Sequence, residues 1–95
     1  MNYKDNPQEK LKAVPLESGD SFVHYKMGNV YEVVMLAIDE GTLEPMVIYR
    51  DCELHSVWVR TYANFAEQVT HNGKTMERFR KTTDCTTDGY NLNLI

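Results

Sequence analysis

Asn72-Gly73 is the strongest turn signal in the chain, because both residues tolerate the positive φ that a two-residue hairpin loop demands. The flanking runs, Gln68–His71 and Lys74–Arg80, read as paired strands, with Val69 across from Met76 and Glu67 across from Arg78. The same pattern recurs upstream. Phe22–Lys26 and Val30–Ile38, rich in β-branched and aromatic residues, flank Met27-Gly28-Asn29. Simple closure there sets Tyr25 opposite Tyr31, His24 opposite Glu32 and Val23 opposite Val33. The run Val33–Ile38 is apolar on both faces, which marks a central strand. Asp39–Thr42 turns the chain and Pro45 opens a strand over Met46–Arg50.

Met46–Arg50 and Val57–Arg60 flank the loop Asp51–Ser56, and symmetric closure pairs Tyr49 with Trp58, Ile48 with Val59 and Val47 with Arg60. Side chains alternate across a strand, so Ile48, Val57 and Val59 share one face, while Val47, Tyr49, Trp58 and Arg60 share the other. The aliphatic face is the expected core. Tyr62–Glu67 reads as a short helical turn anchored by Phe65. The expected fold is mainly β, a small antiparallel sheet or partly open SH3-like barrel of about five strands with one short helical turn.

A chain of 95 residues makes one small domain. Residues 1–19 read as an N-terminal extension with a helical turn around Gln8–Ala13, and residues 20–81 as the barrel-like domain. Residues 82–95 read as a linker ending in Tyr90–Ile95, either a short strand or a frayed terminus. The strand reading leads to an expected homo-oligomer. No apolar run approaches the roughly 18 residues of a membrane helix, and the polar start has no signal-peptide core, so the expected location is cytoplasmic. The net charge is −4. A nucleic-acid binder usually carries a basic excess, so that class is demoted. Cys52 and Cys85 form no CxxC pair, and reduced thiols are expected.

The stretch His24–Phe79 resembles the bacterial and phage family called domain of unknown function 1653. The resemblance lies in His24-Tyr25-Lys26 with Gly28, Tyr31-Glu32-Val33, Thr42-Leu43-Glu44-Pro45, Val47, Tyr49-Arg50, Trp58-Val59-Arg60, Phe65, Gly73 and Arg78-Phe79. Two positions depart from the family pattern. Met27 intervenes where the family usually joins lysine directly to glycine, and Thr61 follows Arg60 where the family usually has proline. The resemblance implies a compact β-rich domain and brings no established activity.

Catalytic chemistry finds little support. Cys52 lies three residues from His55, but no third group orients the pair. His24, His55 and His71 fall on separate segments without metal-ligand spacing, and no glycine-rich phosphate loop is present. No enzyme activity, metal or cofactor is expected. His24 opposite Glu32 would favour the charged imidazole.

Arginine grips anions through a planar fork and stacks on rings. Arg50, Arg60 and Arg78 each end or interrupt an apolar strand, and Trp58, Arg60 and Tyr49 share a face. That combination suits a planar anion such as a nucleotide. The competing reading is structural: salt bridges from the arginines to Glu32, Glu44, Glu67 or Glu77, with Trp58 as core filler. The expected ligand site is Tyr25, Lys26, Glu44, Tyr49, Arg50, Trp58, Arg60 and Arg78. The leading expectation is a non-catalytic module for a small planar anionic ligand, which on a phage could sequester a host nucleotide signal in the host cytoplasm. A protein–protein adaptor using a sheet edge or the C-terminal strand is the alternative, and a nucleic-acid-associated module is third.

Overall fold

A computed structural model describes residues 6–83. Asn6 caps a 3₁₀ helix over Pro7–Ala13, its side chain accepting from Gln8 N–H at 2.9 Å. Seven strands follow: β1 (Ser21–His24), β2 (Val30–Ile38), β3 (Pro45–Asp51), β4 (Val57–Thr61), then β5 (Gln68–His71), β6 (Lys74–Glu77) and β7 (Phe79–Thr82). One helical turn, α1 (Tyr62–Phe65), separates β4 from β5. The antiparallel sheet β4-β3-β2-β1-β7 curls into a half-barrel, and β5 and β6 form a separate ribbon. The expected long last strand is broken at Arg78, which lets β7 return to β1.

Two registers follow the turn chemistry. Val69 pairs with Met76 around Asn72-Gly73, whose φ values are 53° and 79°. On β3 and β4, Tyr49 pairs with Trp58, Ile48 with Val59 and Val47 with Arg60. The first hairpin differs from simple closure. Val23 pairs with Val30 and Phe22 with Tyr31, so residues 25–29 form a wider loop. His24 closes that loop: its Nδ1 accepts from Lys26 N–H at 3.1 Å and from Met27 N–H at 3.3 Å. The expected His24–Glu32 pair is therefore absent, and Glu32 pairs with Arg50.

The faces of β3 and β4 are the reverse of the expectation. Val47 and Tyr49 are buried, whereas Val57 and Val59 are 63% and 58% exposed on the outside of the curl. β2 is the middle strand, yet Met35 on its outer face opens to solvent. On the concave face, Phe22, Val33, Val47, Tyr49, Phe65 and Phe79 form the core. Thr61 makes this possible. Its hydroxyl caps α1 by accepting from Asn64 N–H at 3.1 Å, and the single turn delivers Phe65 into the concavity. Phe65 stacks on Phe79 with centroids 4.1 Å apart and planes 4° apart.

Cys52 corrects another expectation. It is buried and disulfide-bonded, and its partner lies outside the described residues. The free-thiol argument rested on compartment, which does not constrain geometry. The Tyr90–Ile95 strand also lies outside the described residues.

The reversed faces predict unequal mutational costs. Phe65→Ala should destabilise the fold by about 3–5 kcal/mol. Val59→Thr should change stability by no more than about 0.5 kcal/mol. Urea denaturation midpoints compare the two directly, and equal costs would contradict this assignment.

Candidate ligand-binding site

Between β1, β2, β3, β4 and β7 lies a cavity of 250 Å³ lined by His24, Met27, Tyr31, Tyr49, Trp58, Arg60 and Phe79. Pairing across β3 and β4 sets Tyr49 against Trp58, and alternation returns Arg60 to the same face. Arg60 donates from Nε to Tyr49 Oη at 2.8 Å and from Nη1 to Asn64 Oδ1. Its guanidinium lies over the Phe79 ring, 5.4 Å from the centroid. Tyr31 meets Tyr49 and Phe79 edge to face at 5.4 and 5.9 Å. Trp58 is 53% exposed, so it is a wall open to solvent and not core filler.

Of the expected site residues, the cavity gathers Tyr49, Trp58 and Arg60. Tyr25 lines an adjoining cavity of 570 Å³ with His24, Met76 and Arg80, and packs edge-on against His71. Lys26 is exposed on the 25–29 loop. Glu44 sits at the far end of the β2–β3 pair, where its carbonyl accepts from Asp39 N–H at 2.9 Å. Arg50 points to the outer face, bonded to Glu32 at 2.6 Å and His55 at 3.0 Å. Arg78 binds Glu67 at 2.6 Å and the Asn64 carbonyl at 3.1 Å. For Arg50 and Arg78 the structural reading therefore holds. Among the described residues no ion pair involves Arg60.

His24, Met27, Tyr31 and Phe79 escaped the expected site. All but Met27 belong to the quoted motifs, and the true β1–β2 register is the signal that would have joined them. Two backbone N–H groups point at His24 Nδ1, so the neutral ring carries its proton on Nε2. Burial lowers the His24 pKa below 6.5, and the charges of Arg60, Arg78 and Lys26 lower it further. The expectation of a charged imidazole is thus reversed. Burial raises the Tyr31 pKa, with Asp51 and Tyr49 adding to the shift, so its phenol stays a donor.

The sequence model of the family described as "Protein of unknown function (DUF1653)" matches residues 20–81. A similar solved structure is that of a protein of this family from Bordetella bronchiseptica, with 23% identity and a TM-score of 0.63. The alignment covers 74% of this chain and 91% of that one, and at such identity it speaks for the fold alone. No curated protein matches the chain.

A depressed histidine pKa sets the sign of a pH effect. The native state binds fewer protons than the unfolded chain, so the His24 contribution is fully present above pH 6.5 and is lost as pH falls through the lowered folded-state value. His24→Asn keeps an acceptor near Nδ1 and removes the titration. Denaturant midpoints from about pH 8 to about pH 5 should fall more steeply for the wild type than for this variant. Parallel curves would show that His24 titrates alike in both states.

Proposed function

The chain belongs to the DUF1653 family, and we propose that its 250 Å³ cavity binds a small, flat, negatively charged ligand of the nucleotide kind without transforming it. The observation that carries this reading is the contrast among three arginines. Arg50 and Arg78 are neutralised by glutamates, whereas Arg60 is held by the neutral Tyr49 and Asn64 at an aromatic wall. A guanidinium fixed by neutral partners keeps its charge available to an anion. Trp58, more than half exposed, supplies a ring for stacking, and Tyr31, Tyr49 and Phe79 complete the aromatic lining. The cavity falls just below the roughly 300–1,000 Å³ of drug-sized pockets, which suits a ligand with a single ring system. His24 Nδ1 is occupied by backbone donors, which favours binding over general-base work. Carried by a phage, such a module would act by sequestering a host nucleotide signal. The adaptor reading draws on the edge of β4, unpaired among the described residues.

Thermal-shift measurements with mono-, di- and cyclic nucleotides test the proposal. A ligand at 100 times its Kd should stabilise the fold by about 2.7 kcal/mol. Trp58→Ala, at a half-exposed position, should cost less stability than the roughly 3–5 kcal/mol of a fully buried aromatic and leave the fold intact. It should weaken binding by about 1–3 kcal/mol through lost stacking. If no nucleotide moves the melting temperature, the ligand reading fails and the adaptor is preferred.

A further inference from the structure

Among the described residues, the five-stranded sheet ends in β4 on one side and β7 on the other. Open edges template pairing with another chain, and charged side chains usually guard them. β7 carries Arg80 and Lys81. β4 has no such guard. Its sole charge, Arg60, is turned to the concave face and tied to Tyr49 and Asn64. Val57, Trp58 and Val59 are all more than half exposed, at 63%, 53% and 58%.

The hydrogen-bond phase of the ladder defines what that edge offers. Asp51 N–H donates to the Ser56 carbonyl at 2.8 Å. Antiparallel alternation then places Tyr49–Trp58 and Val47–Arg60 in bonded pairs, and it directs the N–H and C=O groups of Val57 and Val59 to the open edge. A two-fold axis through Val59 satisfies them. Val59 meets the partner subunit's Val59, and Val57 meets the partner subunit's Thr61. Trp58 falls opposite the partner subunit's Arg60 at a non-bonded position, where side chains approach closely and an indole attracts a guanidinium. An axis through Arg60 would instead oppose two cations, and an axis through Trp58 would forgo the Trp–Arg pairs. On the outer face, the row Met35, Ile48 and Val59 would continue into its own copy across the axis.

We propose that β4 pairs antiparallel with β4 of a second copy about Val59, which sets each Trp58 across from the partner subunit's Arg60. The contact is isologous, as a closed dimer requires. Each ligand cavity then borders a side chain from the other copy.

Sedimentation velocity on the full chain should reveal a species of twice the 11.0 kDa chain mass. Val59→Lys opposes two ammonium groups at the axis and should weaken dimerisation by about tenfold or more. Val59 lies on the exposed outer face, so the far-UV circular dichroism should not change. Val57→Lys provides a second variant of the same expected effect, and Arg80→Val on the guarded edge should leave the dimer intact. The Val57 and Val59 amides should be protected from hydrogen exchange at dimer-forming concentrations and lose protection on dilution. A monomer at every concentration would overturn the proposal. So would a dimer indifferent to both lysines, or one in which these amides exchange freely.

Discussion

The parallel stack of Phe65 on Phe79 is the contact on which the rest depends. A single curled sheet has one concave face to bury, and a chain this short has few residues left to cover it. Phe65 comes from α1 and Phe79 from the opposite edge strand, so their contact ties the two ends of the half-barrel together. Phe22 and Tyr49 close on the stack edge to face, at 5.2 Å from Phe65 and 5.4 Å from Phe79 respectively. The other flank of Phe79 is cavity wall, beneath the Arg60 guanidinium. One ring therefore serves the core and the candidate site, and the site inherits the rigidity of the core.

The charge pattern shows why a chain's total says little about a pocket. The protein carries a net −4, yet Arg60, Arg78 and Lys26 all bear on His24 and push its titration the same way. Three acidic residues near these groups have partners of their own. Glu32 and Glu67 neutralise arginines outside the cavity, and Asp51 turns inward to accept from Glu53 N–H and Leu54 N–H at 2.7 and 2.9 Å. At His24 the basic groups therefore prevail, whereas at Tyr31, on the same cavity wall, the Asp51 charge opposes that of Arg60.

Local chemistry was legible where it was self-sufficient. Asn72-Gly73 and the loop after Arg50 specify their hairpins, and both registers agree residue by residue with the turn argument. The β1–β2 register was not legible, because His24 uses its own imidazole to close a longer loop, an interaction no propensity encodes. Alternation separated the two faces of β3 and β4 but could not say which face is covered. That decision belongs to Phe65, just past β4, and to Phe79 on the opposite edge strand, which meet only through tertiary packing. The site followed the same rule. Tyr49, Trp58 and Arg60 were found together because paired strands make them neighbours, whereas His24, Tyr31 and Phe79 enter only through tertiary closure. Arg50 was drawn in by residue type and lost to alternation.

Met27 shows how such a fold could diversify. It lies on the β1–β2 loop, 61% exposed, and still contributes to the cavity lining. Gly28 beside it adopts φ +76°, so the loop already contains the flexible joint that an added residue needs. The loop's hydrogen bonds run to His24, Arg78 and Asp51, so a change in its length is felt first at those residues rather than within the stack of Phe65 on Phe79. The rim of the cavity can thus vary independently of the scaffold beneath it, as antibody loops vary on a conserved sandwich.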